Sequence, residues 1–294
     1  MRTMRWMTLA LASSVLSACG GDDATSGAPA EDTGNPLVDS GSLDTSLVDT
    51  SVAVDGSTSD TATPGDVAPA TPAKRIVFFL GDGMGLSVMT AARIYGVGED
   101  GSLAMDELPE TGFVRTYSND SMVTDSAAAM TAYMSGVKCN NDVLSMSADT
   151  PYKGTTGTPV TTFLELAEKA GWSTGVVTTT RVTHATPAAT YAHISDRDKE
   201  EDIAKQLVPG GAGYNAALLD GLEVVFGGGL KQFATRADAR NLVDELKAKG
   251  YAYASDKTSF EAIPDTATKA LGLFTASHMS YDLDRDPAKE PSLA

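Results

Sequence analysis

The chain has 294 residues, 39 acidic against 22 basic side chains, a formal net charge of −17 and two cysteines. Two cysteines exclude a disulfide framework, and an acidic chain without basic stripes excludes nucleic acid as a partner, because phosphate backbones demand clustered Lys and Arg. Small phosphate compounds are not excluded, since a bound cation inverts the local field.

At the start, Arg2 and Arg5 precede an apolar, small-residue run from Trp6 to Leu16 that ends in Leu16-Ser17-Ala18-Cys19-Gly20. This pattern predicts an export signal over residues 1–18. The run is too short for a spanning helix, which takes about 20 apolar residues. Small residues before a cysteine resemble the lipobox of bacterial lipoproteins, which implies cleavage before Cys19 and acylation of its thiol. An ordinary signal peptide with an incidental cysteine is the other reading. The expected location is the cell envelope, on the periplasmic side or the outer surface. Gly20 in place of an aspartate after Cys19 favours outer-membrane or surface anchoring.

Residues 19–73 are rich in Ser, Thr, Gly, Ala, Pro and Asp; residues 20–73 hold ten acidic residues and no Lys or Arg. Such a segment buries too little apolar surface to offset its ordering entropy, so a disordered acidic tether is expected. It takes −10 of the net charge and the leader +2, which leaves −9 for residues 74–294.

From Lys74 the character changes. Arg75 to Leu80 is a continuous apolar run that predicts a buried parallel strand, and Thr174 to Val177 and Leu222 to Phe226 predict two more. Helical patterns lie at Ala127 to Met134, Phe163 to Ala170 and Arg236 to Lys249. Alternating strands and helices make residues 74–294 an α/β domain, with a mostly parallel central sheet flanked by helices on both faces. Cys139, with no base beside it in sequence, is read as a free thiol that is buried or simply tolerated, and not as a nucleophile.

Three motifs can carry chemistry. Gly81-Asp82-Gly83-Met84-Gly85 follows the first expected strand, where open α/β sheets bind ligands; a glycine-rich turn is the plainer reading. In Thr124-Asp125-Ser126-Ala127, Asp125 or Ser126 serves as a helix N-cap, and a helix N-terminus also favours a phosphate dianion. His184-Ala185-Thr186-Pro187 follows a strand, with His193 and Arg197 further on. An arginine there is either a solvated charge or a bidentate fork for phosphate oxygens.

In this order and spacing, Gly81-Asp82-Gly83-Met84-Gly85, then Val123-Thr124-Asp125-Ser126-Ala127-Ala128 with Gly136-Val137-Lys138, then Thr183-His184-Ala185-Thr186-Pro187-Ala188-Ala189 with Tyr191-Ala192-His193, the chain resembles the alkaline phosphatase family from about Arg75 to Leu293. The resemblance implies hydrolysis of phosphate monoesters through a phosphoserine at Ser126, with two zinc ions and one magnesium ion. It implies that Asp82 bridges a zinc and the magnesium, that Thr186 completes the magnesium shell, and that His184 occupies a near-metal position. It implies that Arg197 clamps phosphoryl oxygens while Asp125 orients it, and it suggests a homodimer. Sulfatases and phosphodiesterases share the fold, but Ser126 is not followed by the Pro-x-Arg arrangement of sulfatases.

The family's remaining metal ligands normally lie beyond the point where this sequence stops, and the chain has only three histidines, His184, His193 and His278. His278 is read as a surface residue. The domain is therefore expected to be truncated at its carboxyl end, with little activity of its own. A catalytically inactive lipoprotein that binds phosphate or metal is the alternative.

Overall fold

The structure, a computed structural model, describes residues 75–292. The leader and the tether lie outside the described residues, as does Leu293. The chain divides into two units between Leu80 and Gly81. Of the smaller unit only residues 75–80 are described. They form no strand and their apolar side chains are exposed, Phe79 by 89%. The buried strand expected there is not formed. An apolar run becomes one only when neighbouring strands satisfy its backbone and layers cover both faces.

From Gly81 onward the chain alternates helices and strands. α1 (Leu86–Val97), α2 (Ser126–Ser135) and α3 (Phe163–Lys169) precede β1 (Gly175–Arg181). Then come α4 (Ala185–Ala188), α5 (Glu200–Lys205), β2 (Val224–Gly228), α6 (Leu230–Ala234), α7 (Leu242–Ala248), β3 (Ala252–Ala254), α8 (Lys257–Glu261) and β4 (Ala270–Leu273). The four strands lie in the order β1-β2-β4-β3, every pairing parallel. Parallel neighbours need long crossovers, and here the helices supply them. The result is the expected α/β class, an open parallel sheet with flanking helices.

β1 and β2 match the sequence expectation, while β4, only four residues long, is buried throughout. The helix expected from Arg236 to Lys249 is shorter. Arg236 forks onto Asp238 at 2.9 and 2.5 Å, Asp238 accepts the Arg240 N–H at 3.1 Å, and Ala239 has φ +59°. Asn241 then caps α7 by accepting from Val243 and Asp244. Local side-chain bonds to the backbone outcompete another helical turn here.

The core gathers Tyr191, Leu218, Leu222, Phe233, Leu242, Leu246, Leu271 and Leu273, each at most 1% exposed. Burying each such side chain contributes about 1.5–3 kcal/mol. Tyr191 keeps its hydroxyl satisfied by donating to the Val182 carbonyl at 2.7 Å, which ties the core to the end of β1. There the β1–β2 register shifts between Val177 and Arg181, a bulge that re-aims the chain toward α4. No helix among the described residues is long and apolar enough to cross a membrane.

Candidate active site

α2 sets the first half of the site. Its alanine-rich sequence favours helix, Gly136 ends it at φ +72°, and Asp125 begins it as N-cap, accepting the Ala128 N–H at 2.9 Å. Asp125 is the cap and Ser126 the first helical residue. The second Asp125 oxygen accepts from Arg197 Nη1 at 2.7 Å and from the Asp142 N–H at 3.0 Å. The Asp125 N–H donates to Asn141 Oδ1 at 3.1 Å.

The second half follows β1. α4 begins at His184, its N-cap, and carries Thr186; it packs against α2. Arg197 donates from Nη2 to Ser126 Oγ at 3.2 Å and faces His184 Nε2 at 3.3 Å. A guanidinium only donates, so Nε2 is the acceptor and Nδ1 carries the ring hydrogen. That Nδ1 is buried and has no partner among the described residues. Burial, with Arg197 and Arg181 beside the ring, holds the His184 imidazole down at about 4. The ring is neutral at neutral pH.

Asp82 lies in the tight turn before α1, where Gly83 has φ +64°. Its Oδ2 accepts from Thr186 Oγ1 at 2.8 Å. All six expected site residues therefore fall into two linked groups: Ser126, Asp125, Arg197 and His184 in one, Asp82 and Thr186 in the other. His184 and Thr186 join them through α4. Together they offer a hydroxyl, a cation with donors aimed at it, and a separate pair of hard oxygen donors. Such a set can bind an anion beside a nucleophile.

Sequence reasoning missed the groups that brace this set. Asp142, at φ +65°, backs Asp125, and burial together with the Asp125 charge pushes its carboxyl up. The polar run Asn140-Asn141-Asp142 was the available signal, since such residues tolerate left-handed turns. Arg181, at the end of β1, pairs with Glu200 at 2.6 Å, and Glu200 also accepts from Thr183 at 2.5 Å. His278 is exposed, as expected, but its ring meets His184 edge-on at 5.2 Å. Cys139 is free, as expected, and buried.

Residues 73–294 match the family described as alkaline phosphatase. The chain belongs to the alkaline phosphatase family. It is 37% identical over 265 residues to alkaline phosphatase 4 of Drosophila melanogaster, covering 75% of this chain and 44% of that one. It is also 37% identical over 259 residues to the alkaline phosphatase of Gadus morhua, covering 76% and 54%. Among solved structures it is similar to the Thermus thermophilus alkaline phosphatase, at 35% identity and a TM-score of 0.60, over 72% of this chain and 42% of that one. A mutant alkaline phosphatase of the Antarctic bacterium TAB5, described with Mg bound in its M3 site, is 28% identical with a TM-score of 0.55, over 68% and 52%. The chain spans about half the length of the curated relatives it matches.

Proposed function

We propose that the chain carries the nucleophile half of a phosphomonoesterase site, with Ser126 as the group that accepts the phosphoryl. The observation that carries this is the Arg197 guanidinium, bonded at once to Asp125 and to Ser126 Oγ. In the proposed reaction Ser126 Oγ attacks phosphorus, the ester P–O bond breaks and the alcohol leaves, giving a seryl phosphate. Water then cleaves that ester, returning Ser126 and inorganic phosphate. Arg197 serves twice. Its donors stabilise charge growing on Ser126 Oγ, and its planar fork suits the phosphoryl oxygens. Asp125 holds the guanidinium in place, and the first turn of α2 presents N–H groups to the anion.

The metal complement implied by the resemblance, two zinc ions and one magnesium ion, would draw on Asp82, Thr186, Ser126 and His184. Asp82 and Thr186 supply the oxygen donors that magnesium prefers, whereas the unpartnered His184 Nδ1 carries the ring hydrogen and would have to give it up to serve as a ligand. Yet no group of three or more His, Cys, Asp or Glu able to hold a metal exists among the described residues. The donor set is partial, so no step above is routed through a metal. When bound, such ions lower the pKa of a hydroxyl or water and stabilise the leaving oxygen.

That partial set favours a second reading, in which these residues bind phosphate or metal without turnover. Hydrolysis of p-nitrophenyl phosphate with zinc and magnesium present, beside Ser126→Ala, separates the two. Turnover abolished by the substitution supports the first. Turnover equal in both chains rejects it, and phosphate binding without turnover selects the second.

We also propose export, lipidation of Cys19, anchoring in the cell envelope and association as a homodimer. The signal pattern and the resemblance support these. Mass spectrometry of the membrane fraction, seeking an acylated Cys19 at the amino terminus, tests the anchor.

A further inference from the structure

Outside the Ser126 group, the His193 ring lies between two acceptors. Its Nδ1 is 2.7 Å from the Ser145 carbonyl oxygen, and its Nε2 is 2.7 Å from Glu165 Oε1. The His193 and Glu165 side chains are 10% and 4% exposed. A carbonyl and an ionised carboxylate accept and do not donate, so each ring nitrogen must donate, and a ring that donates twice is an imidazolium. Glu165 is fixed as an acceptor by other bonds: Oε2 takes the Thr162 N–H at 2.9 Å, closing the capping box of α3, and Oε1 also takes Asn215 Nδ2 at 2.7 Å. Burial opposes the Glu165 charge, but the His193, Asn215 and Thr162 donors outweigh it and hold the carboxyl below its ordinary range.

The His193 backbone begins the segment that carries Arg197. Gln206 clasps it, accepting its N–H and donating to its carbonyl, both at 3.0 Å. Ile194 exchanges two hydrogen bonds with Leu144, at 2.8 and 3.0 Å, and the Arg197 N–H donates to the Asp142 carbonyl at 2.9 Å. The ring bond to Ser145 extends this ladder by a further rung. Ser145 is buried with φ +46°, a conformation that persists only when its surroundings hold it. Thr131 Oγ1 accepts its N–H at 2.9 Å, its Oγ donates to the Ala189 carbonyl at 2.6 Å, and its own carbonyl accepts from both the Val160 N–H at 2.9 Å and the His193 ring.

We propose that His193 is a doubly protonated imidazolium which, with Glu165 as counter-ion, is a positioning residue for Arg197. Its two N–H donors fasten the segment bearing the guanidinium to the Ser145 turn and to α3. The positioning clause rests on the proposed role of Arg197; the charge on the ring does not.

Long-range 1H–15N NMR of the whole chain at neutral pH reads the ring directly, with His193 assigned by its loss in His193→Gln. Both ring nitrogens are expected to carry hydrogen, and one bare nitrogen would overturn the charge. In Glu165→Gln the ring is expected to keep a single N–H, on Nδ1; retained double protonation would remove Glu165 from the proposal. Amide hydrogen exchange in His193→Gln is expected to quicken about tenfold at Leu144, Ile194 and Arg197 while the amides of β2 and β4 hold their rates. Uniform acceleration, or none, overturns the positioning role. If His193→Gln does not fold, His184→Gln and His278→Gln assign the ring by elimination, and exchange in Glu165→Gln carries the positioning test by the same criterion. None of these readouts involves phosphate or turnover, so their failure is distinct from a failure of the phosphatase reading.

Discussion

Asp125 and Arg197, 72 positions apart in sequence, meet at 2.7 Å through Oδ2 and Nη1. The same carboxylate caps α2 through its other oxygen, so one side chain both starts the helix that presents Ser126 and aims the cation at it.

Substituting Asp125 separates these duties. Asp125→Ala is expected to lose the cap, at about 1 kcal/mol, and to leave the half-buried Arg197 without its counter-charge. Asp125→Asn keeps an oxygen for the Ala128 N–H and is expected to lose less. Urea unfolding midpoints of the two chains measure the order; an equal loss would show that the cap contributes nothing.

Arg197→Ala removes donors that face both Ser126 and the proposed phosphoryl. In any form of the protein that turns over a phosphate monoester, kcat is expected to fall on the order of 10²-fold. Arg197→Lys keeps the charge without the fork and is expected to recover only part of that loss. Steady-state kinetics on p-nitrophenyl phosphate decide it; full activity in the lysine chain would remove the bidentate requirement.

At the carboxyl end of β2, a Cβ added to Gly228 would overlap the Ser277 carbonyl oxygen, which is backbone and cannot swing away. Gly228→Ala is therefore expected to destabilise by about 1–3 kcal/mol, the usual cost of overpacking. Thermal unfolding reads it, and a neutral result would mean that the loop over β2 yields freely.

Burial pushes the Cys139 thiol up from 9.0 to about 11, and its sulfur donates to the Val143 carbonyl at 3.2 Å. A group raised in the folded state stabilises the fold below its unfolded value and loses that contribution as pH rises through the folded one. Stability is expected to fall between about 9 and about 11 more steeply in this chain than in Cys139→Ala. Alkylation of Cys139, followed on its own peptide, is expected to track unfolding. Rapid alkylation of the folded chain would contradict the burial.

The site was more legible in the sequence than its supports were. Ser126, Asp125, Asp82, His184, Thr186 and Arg197 were legible through the combined order and spacing of their motifs, which resemble the family's; singly, each had a plainer reading as a turn, a helix cap or a solvated charge. The Glu165–His193 pair spans 28 positions, and no local pattern announces a bond that only packing creates. β1 and β2 announced themselves by apolar runs between turn residues. Arg75 to Leu80 has the same pattern but forms no strand, because apolarity marks a preference for burial and does not supply the neighbours that provide it. The break before α7 came from Asp238 and Asn241, whose side chains compete for backbone groups that helical periodicity alone does not weigh.

The most direct test of Ser126 as phosphoryl acceptor is mass spectrometry of the protein, quenched in acid during incubation with a phosphate monoester, zinc and magnesium. A phosphoryl group on the peptide containing Ser126, lost in Ser126→Ala, is the expected result. Hydrolysis of the ester with Ser126 unmodified, or with the phosphoryl on another residue, would contradict it.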